Sequence, residues 1–255
     1  MNLRISAFGI TMDAVSMPQA IDTVFEWVET GDDLCRYLVT PNVDHIVKLQ
    51  NNKKFRNAYA DASLVLIDGR PVFFALKMLG KPVPETIAGS DFVPRLFETA
   101  QGKKALKVFW LGAGPGVAAK AAERVESIWK NIDSVGSYSP PYSFEKNTKE
   151  NQKILKLINT AQPDILIVGL GAPKQELWVH ANHKKIKAKV VLCAGATIDF
   201  LAGKKPRAPV WIRRLSLEWL YRMLSEPRRL AGRYIYDALF FPGIILKERR
   251  KNRSP

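Results

Sequence analysis

Short apolar runs alternate along the chain with longer segments whose apolar residues recur on one helix face. Five runs have the length and composition of buried β-strands: residues 37–40, 63–68, 107–111, 165–168 and 190–193. The clearest helical segments between them are 43–60, 72–79 and 117–129. Apolar strands separated by helices predict an α/β fold, with a mostly parallel, Rossmann-like sheet sandwiched by helices.

The C-terminal fifth of the chain differs from the rest in charge and pattern. Residues 202–255 hold 14 lysine and arginine residues against four acidic residues, and so carry most of the net charge of +15. Two apolar stripes run through this region: Ile212, Leu215, Trp219 and Met223, then Leu230, Tyr234, Ala238 and Phe241. We therefore expect an α/β catalytic domain over residues 1–205 and a basic, amphipathic helical appendage over residues 206–255.

The basic appendage fits several kinds of partner. Anionic lipid headgroups, a phosphorylated substrate and nucleic acid would each suit it, and a solvated basic face is the simpler alternative. Residues 240–246 are apolar but too few to span a bilayer. The first ten residues lack the uninterrupted apolar segment of a signal peptide, so we expect a cytoplasmic protein. Cys35 and Cys193 then predict reduced thiols, and neither has the features of a nucleophile.

Polar residues and glycines stand where the predicted strands end. These positions are Thr40, Asp68, Gly112, Gly169 and Gly195. Because ligands of open parallel sheets bind outside the carboxyl ends of the strands, one cleft could collect all five.

Residues 165–176 combine an apolar strand, two glycines and a helix start. Gly169 and Gly171 allow a sharp turn and a close approach of the backbone to a ligand, and Pro173 and Lys174 suit the beginning of a helix. The free N–H groups of a helix start favour an anion. This segment predicts a phosphate site, for which a nucleotide is the natural ligand.

Two other nucleotide-binding motifs fail on their spacing. The loop 112–116 has Val117 where the dinucleotide fingerprint needs glycine or alanine, and the nearby acid, Asp133, precedes the next short strand instead of following it. Gly203-Lys204-Lys205 lacks both the upstream glycine and the following Ser or Thr of a P-loop.

One group of residues has the spacing of metal ligands. Glu176, His180 and His183 share a helix face if the helix continues that far. A site whose ligands all come from one helix is uncommon, however, and the chain has no Asp-x-Asp pair to hold a nucleotide-bound divalent cation. We therefore expect no metal.

Each polar candidate at a strand end has a structural and a chemical interpretation. Asp68 is a candidate general base, or else the N-cap of a helix that begins near Pro71. Thr40 orients a substrate hydroxyl or merely begins the turn at residues 41–42. Asp91 caps a helix or accepts a hydrogen bond from a sugar hydroxyl.

An ordered set of motifs resembles one known family over nearly the whole chain. The motifs are Thr40-Pro-Asn-Val-Asp-His45, Ile67-Asp-Gly-Arg-Pro71, Gly89-Ser-Asp91, Gly169-Leu-Gly-Ala-Pro-Lys-Gln-Glu176, Gly195-Ala-Thr-Ile-Asp-Phe200 with Gly203, Arg207-Ala-Pro209, Glu218-Trp-Leu-Tyr-Arg222 and Glu226-Pro-Arg-Arg229. Together they resemble the WecG/TagA/CpsF bacterial glycosyltransferases, glycosyltransferase family 26.

The resemblance implies an inverting sugar transfer in cell-surface polysaccharide or teichoic acid synthesis. A UDP-sugar would donate N-acetylmannosamine, its uronic acid or glucose to a polyprenyl-diphosphate-linked saccharide at the inner face of the cell membrane. Asp68 matches the family's general base, and Thr40 matches a threonine that positions the reactants. An inverting transfer needs one base on the acceptor side, without an additional nucleophile. With no metal or cofactor expected, N–H groups and basic side chains would stabilise the departing diphosphate.

The resemblance also assigns binding residues. The donor set is Asn42, Gly112, Gly169, Gly171, Lys174, Gln175, Glu176, Thr197 and Asp199. The acceptor set is Asp91, Arg207, Arg222, Arg229 and Arg233. Two positions depart from the family pattern: an expected arginine falls at Gly232, so Arg233 would replace it, and Thr86 stands where relatives often have arginine.

The expected partners are the UDP-sugar, the polyprenyl-diphosphate acceptor and an anionic membrane surface, and a homo-oligomer is compatible with the sequence. Residues 206–255 would be the membrane-associating part, with their apolar stripes inserted between lipid headgroups. Two other classes stay open as alternatives. A Rossmann-type oxidoreductase would explain the glycine loops, and a nucleic-acid-binding protein would explain the basic appendage. We expect no nucleic acid, because the chain contains no recognised nucleic-acid module and no recurring exposed aromatic platforms.

Overall fold

The computed structural model describes residues 3–30, 34–209, 211–212 and 217–252, and it has the predicted α/β architecture. A sheet of six parallel strands has the order β4-β3-β8-β7-β5-β6, and β1 and β2 form a separate antiparallel hairpin. The strands are β1 (Arg4–Ala7), β2 (Ile10–Asp13), β3 (Arg36–Val39), β4 (Leu64–Val65), β5 (Leu106–Gly112), β6 (Ile132–Tyr138), β7 (Ile165–Gly169) and β8 (Val190–Cys193).

Helices cover both faces of the sheet. They are α1 (Met17–Glu29), α2 (Val43–Asn51), α3 (Lys53–Ala60), α4 (Arg70–Met78), α5 (Gly89–Ala100), α6 (Val117–Ile128), α7 (Thr148–Ala161), α8 (Lys174–Asn182), α9 (Thr197–Leu201), α10 (Glu218–Ser225) and α11 (Pro227–Lys251). Helices α1, α5, α6 and α9 pack on one face, and α2, α3, α4, α7, α8 and α11 pack on the other.

Strand β5 shows how alternation builds the two cores. Val108 and Trp110 lie in one buried cluster, and Phe109 and Leu111 lie in the other, because successive side chains of a strand point to opposite faces. Each such fully buried side chain stabilises the fold by about 1.5–3 kcal/mol. The buried indole N–H of Trp110 donates to Ser134 Oγ at 3.1 Å, so its burial leaves no polar group unpaired.

Two predicted elements have different boundaries in the structure. The single helix predicted over residues 43–60 is two helices, because Asn52 leaves the helical conformation and its Oδ1 accepts the N–H of Phe55 at 3.0 Å, which caps α3. The strand predicted over residues 63–68 is regular only over Leu64–Val65. Beyond it, Leu66 forms a single bridge with Asp13, and the N–H of Asp68 donates to the carbonyl of Pro41 at 3.1 Å.

Helix α11 packs along α2, and its buried side includes part of the second apolar stripe, which the sequence suggests would meet lipid. Of the second stripe, Leu230 and Phe241 are buried, and Phe241 belongs to the α/β core, where its ring lies 5.9 Å from that of Phe8. Tyr234 packs on Trp219 of α10. The exposed apolar residues of α11 lie on the opposite side: Ile235, Tyr236, Leu239, Phe240 and Leu246.

The expectation that the second stripe inserts between lipid headgroups is therefore wrong for Leu230 and Phe241, which lie on the protein side of a helix that is apolar on two faces. Leu215 of the first stripe lies outside the described residues. Pro242 is accommodated inside α11. Within the described parts of the chain, no helix is both long and apolar enough to cross a bilayer.

Candidate functional site

The carboxyl edge of the sheet brings together the residues predicted at strand ends: Thr40, Asp68, Gly112, Gly169 and Gly195. The chain leaves β5 toward β6 and leaves β7 in the opposite direction toward β8, so a topological switch point lies between β5 and β7. Here a Cβ on Gly112 would lie 2.5 Å from the carbonyl oxygen of Gly169, so no larger residue fits. The edge therefore has the crevice in which such sheets bind ligands.

Asp68 follows β4 after Leu66 and Ile67, and it does not cap a helix. Helix α4 begins at Arg70, and its N-cap is Gly69 with a φ of 85° and no side-chain capping bond. The capping interpretation of Asp68 is therefore wrong. The backbone bond from Asp68 to Pro41 fixes the residue beside the end of β3, and its carboxyl group is left to interact with the site.

The surroundings of Asp68 suit a base that works near neutral pH. Burial raises the pKa of its carboxyl to about 7. The positive charge of Arg222 and a hydrogen bond with the Asn42 side chain lower this pKa, while the negative charges of Glu218 and Asp91 raise it. Burial outweighs the cation, so the group can accept a proton at physiological pH.

Thr40 and Asn42 lie beside Asp68 at the end of β3. Thr40 is buried. The Oδ1 atom of Asn42 accepts the N–H of His45 at 3.2 Å and caps α2. Asn42 thus contributes both to the helix start and to the hydrogen bonding of Asp68, which places this predicted donor residue next to the candidate base.

The loop between β7 and α8 is less open than its sequence suggests. Gly171 has a φ of 78°, which favours glycine, and α8 begins at Lys174 as predicted. The N–H of Gly171, however, donates to Gln175 Oε1 at 3.3 Å. The N–H of Glu176 bonds its own carboxylate. Part of the predicted anion-binding N–H set is therefore satisfied within the protein.

Gly169 is required for close packing within the protein. A Cβ there would lie 2.8 Å from the carbonyl oxygen of Gly195 and 2.9 Å from Ile198. Close approach of the backbone to itself, instead of to a ligand, therefore explains this glycine. Gly171 is the position around which space is open.

The other predicted donor residues are distributed around the same loops. The Thr197 hydroxyl is buried and donates to the carbonyl of Ala194 at 2.6 Å. Asp199 lies 3.9 Å from Lys205. Lys174 pairs with Glu145 at 3.3 Å and remains partly exposed. Of these groups, the ammonium of Lys174 is the one suited to a phosphate.

Two predicted acceptor residues form a contact with each other. Asp91 lies in the first turn of α5, whose N-cap is Ala88, so Asp91 is not the cap. An Nη2 donor of Arg207 reaches Asp91 Oδ1 at 2.5 Å and Ser90 Oγ at 3.2 Å. This pair joins the start of the C-terminal region to the helix that follows the carboxyl edge.

The remaining arginines differ in position. Arg222 on α10 is close enough to lower the pKa of Asp68. Arg229 makes two hydrogen bonds to Glu226, at 2.6 and 2.9 Å. Arg233 turns toward α2, where Nη1 lies 3.8 Å from Asp44. Of the three, Arg222 is the one that the structure brings to the candidate base.

The histidines and cysteines have structural surroundings. His180 lies 3.6 Å from Asp61, and Nδ1–H of His183 donates to the carbonyl of His180 at 2.8 Å, while Glu176 is fully buried. Across residues 3–30, 34–209, 211–212 and 217–252, no three His, Cys, Asp or Glu side chains form a metal-binding group. Burial raises the pKa of Cys35 to about 12, which disfavours a reactive thiolate.

Comparison with known proteins decides the family. The sequence model of the glycosyl transferase WecG/TagA/CpsF family matches residues 5–255. The chain belongs to this family. A relative from Bacillus spizizenii, an N-acetylglucosaminyldiphosphoundecaprenol N-acetyl-beta-D-mannosaminyltransferase, is 31% identical over 219 residues, which cover 86% of this chain and 82% of the relative. A protein of the same name from Staphylococcus aureus strain MRSA252 is 26% identical over 251 residues, 98% of this chain and 96% of that relative.

Membership in the WecG/TagA/CpsF family makes the chain a glycosyltransferase. The glycine loop after β5 and Asp133 lie at opposite ends of their strands. Asp133 is the second residue of β6, so it lies at the far end of that strand from the crevice. The loop itself is held by Ser139, whose hydroxyl donates to the carbonyls of Gly112 at 3.0 Å and Gly114 at 2.9 Å.

Sequence reasoning missed two charged residues at the crevice of this WecG/TagA/CpsF member. The Lys204 ammonium lies 3.0 Å from the position that a Cβ on Gly114 would take, so it stands beside the glycine loop. Glu218 is close enough to raise the pKa of Asp68. Lys204 entered the sequence analysis only in the rejected P-loop motif and Glu218 only as the first residue of a family motif, and their contacts depend on how the C-terminal region folds back on the sheet.

Proposed function

We propose that this protein transfers N-acetylmannosamine, or a closely related sugar, from UDP to an N-acetylglucosamine carried on polyprenyl diphosphate. The observation that carries the proposal is Asp68, a carboxyl group with a pKa of about 7 at the edge where the parallel strands end. The printed names of the two relatives, which describe N-acetylmannosaminyl transfer to N-acetylglucosaminyldiphosphoundecaprenol, support this choice of sugar and acceptor.

The proposed reaction is a single displacement with inversion. Asp68 accepts the proton of an acceptor hydroxyl as the oxygen attacks the anomeric carbon, and the bond from that carbon to the UDP oxygen breaks. The electron pair of the broken bond leaves on UDP. Thr40 and Asn42 position the reacting groups beside Asp68. Arg222 favours the deprotonated form of Asp68, because its positive charge lowers the pKa of that carboxyl group.

The donor diphosphate is proposed to bind between the loops after β5 and β7. Lys174 and Lys204 flank these loops, and their charges would stabilise the departing UDP without requiring a metal. Gly171 leaves space for the ligand, and Asp199 is suited to sugar or ribose hydroxyls. Glu176 is buried and is therefore assigned no direct contact with the donor.

The acceptor is proposed to approach from the side of α10 and α11, with residues 206–255 acting as a membrane-associating appendage. Arg207, Arg222 and Arg229 supply positive charge for its diphosphate, and Arg207 and Arg229 also pair with Asp91 and Glu226. Arg233 is assigned no contact with the acceptor, because it is directed to Asp44 on α2. The exposed apolar face of α11 and the surrounding basic residues have the composition of an interfacial helix. We place the protein at the inner face of the cell membrane as a peripheral protein.

A transfer assay tests the proposed function. Purified protein incubated with UDP-N-acetylmannosamine and a lipid-diphosphate N-acetylglucosamine acceptor should form a disaccharide-diphosphate lipid, detected by mass spectrometry. NMR of the product should show the anomer opposite to that of the donor. Activity should persist in EDTA. UDP-glucose and the uronic acid donor are parallel arms that define the sugar, and no product with any UDP-sugar would refute glycosyl transfer from UDP.

Replacing Arg222 with glutamine should move the pH dependence of transfer. Because the charge of Arg222 lowers the pKa of Asp68, its removal raises that pKa and shifts the acidic limb of kcat/KM to higher pH. Measuring kcat/KM over a pH series from 5.5 to 9 gives the shift, and such a series resolves a change of roughly one pH unit or less. Arg228→Gln, at an exposed position on α11, is the control and should leave the limb unchanged. An unmoved limb in the Arg222 variant would show that Asp68 does not govern it.

A further inference from the structure

A buried carboxyl group lies on the first turn of α8, outside the proposed chemical step. The side chain of Glu176 is fully buried, and its Oε2 atom has no hydrogen-bond partner among the described residues. Burial raises the pKa of this carboxyl to about 7. The nearby His45 does not compensate it as a cation, because Nδ1 is 3.9 Å away and burial lowers the pKa of His45 to about 4. Burying a carboxyl group with an unpaired oxygen costs folding free energy, so its presence here indicates a function.

Glu176 has one close side-chain contact, and that contact leads to the crevice. The amide nitrogen of Gln175 donates to Glu176 Oε1 at 2.8 Å. The amide oxygen of Gln175 accepts the N–H of Gly171 at 3.3 Å and the N–H of Gly195 at 3.2 Å. One buried side chain therefore ties the loop after β7 to the loop after β8.

The orientation of the Gln175 amide depends on Glu176. If the amide were turned over, its NH₂ group would face the N–H groups of Gly171 and Gly195, which can only donate. A carboxylate accepts hydrogen bonds and does not donate, so Glu176 holds the nitrogen on its own side and leaves the oxygen for the two loops. Glu176 thus reinforces, from the other end of the amide, the one orientation that joins the two loops.

We propose that Glu176 is a positioning residue that acts through Gln175 to hold the loops after β7 and β8 in the geometry that receives the UDP part of the donor. The identity of the ligand rests on the proposed function. Asp199, a predicted donor residue, lies in the first turn of α9, which begins just after the loop that holds Gly195, so the same link helps to set its distance from the loop at Gly171.

Exchanging the two side chains tests this inference, because the exchange keeps composition and charge. In Gln175→Glu, two buried carboxyl groups face each other, and Glu176 loses the N–H group that donates a hydrogen bond to it. In the double variant Gln175→Glu with Glu176→Gln, the new carboxylate accepts from Gly171 and Gly195, and the new amide donates to it. We expect the single variant to weaken UDP binding by about tenfold or more, the loss typical of a hydrogen bond to a charged group, and the double variant to restore most of it.

Calorimetric titration with UDP gives the dissociation constants, and thermal unfolding shows whether each variant folds. Gln152→Glu, at an exposed position of α7, makes the same chemical change as a control and should bind UDP like the unmodified protein. A lowered Tm with unchanged UDP affinity in Gln175→Glu would make the contact purely structural and overturn the inference, as would a double variant no better than the single one. Failure of the unmodified protein to bind UDP would instead refute the proposed function.

Discussion

Replacement of Asp68 by asparagine should lower kcat for sugar transfer by about 10²–10⁴-fold and leave the dissociation constant for UDP nearly unchanged. Asparagine has the same shape but cannot take the proton of the acceptor hydroxyl. Radiolabel or mass-spectrometric assay of transfer gives kcat, and calorimetric titration gives UDP affinity. Turnover close to that of the unmodified protein would remove Asp68 from the role of base.

Asp133→Asn is the matched control for this experiment. Asp133 is an exposed aspartate on β6, at the end of the strand away from the crevice, so the same chemical change there should not affect kcat. A comparable loss in both variants would indicate a general effect of removing a carboxylate and would leave Asp68 without support as the base.

Asp68→Asn should also raise the thermal stability of the protein at alkaline pH. Since burial raises the pKa of Asp68 from 3.8 to about 7, the folded state binds the proton more tightly than the unfolded state. The free energy of unfolding therefore falls as pH rises through this interval, and the loss persists above it. Asp68→Asn removes the ionisation, so its Tm at pH 8 should exceed that of the unmodified protein, with the difference shrinking toward pH 4. Equal Tm values at pH 8 would contradict a desolvated carboxylate.

The sequence was sufficient to predict which residues meet at the carboxyl edge of the sheet, because this arrangement depends on local hydrophobic patterns and on a general property of parallel sheets. Apolar strand segments separated by helices imply a parallel sheet, and parallel strands end at one edge, which brings Thr40 and Asp68 together. What the pattern could not resolve was the choice between capping and chemistry at Asp68. That choice depended on the conformation of Gly69, whose positive φ makes it the N-cap of α4.

The interactions around α8 could not be predicted for a different reason. The sequence of residues 165–176 indicates a helix start with free N–H groups, but these groups are partly satisfied by Gln175 and Glu176, two residues that look like exposed polar positions. Their burial results from how α8 packs against α3 and the sheet. Similarly, the hairpin of β1 and β2 was not predicted, since strands this short leave little hydrophobic pattern. The available sequence signal was Gly9, which suits the positive φ that both Phe8 and Gly9 adopt in the turn.

Helix α11 presents the clearest limit of hydrophobic patterning. It carries apolar residues on two sides, and a helix with two apolar faces does not identify the one that meets its own protein. Phe241 packs in the α/β core and Leu230 is buried as well, so deletion of the helix would expose apolar core surface in addition to removing the proposed membrane contact. A specific test of membrane association therefore has to change the outward face alone.

Replacing Ile235 and Leu239 together with glutamate should abolish binding to anionic vesicles. Both side chains are mostly exposed, 60% and 73%, so the double variant should keep its fold, which thermal unfolding verifies. Inserting each of them between lipids is worth about 1.5–3 kcal/mol, so losing two should weaken vesicle binding by about 10²-fold or more, and the new charges add repulsion from anionic headgroups. Cosedimentation with vesicles containing anionic lipid measures the binding.

The decisive comparison is between two acceptors. Transfer to a polyprenyl-length acceptor embedded in vesicles should fall with membrane binding, whereas transfer to a short-chain, water-soluble acceptor should be unchanged, because Asp68 and the donor loops are untouched. Ile128→Glu, at the end of α6 and 57% exposed, places the same charge on another apolar surface residue and should retain vesicle binding. If the α11 variant still sediments with anionic vesicles, this face does not meet the membrane. If it loses both transfer reactions equally, α11 acts on the chemistry of the site and not on delivery of the lipid acceptor.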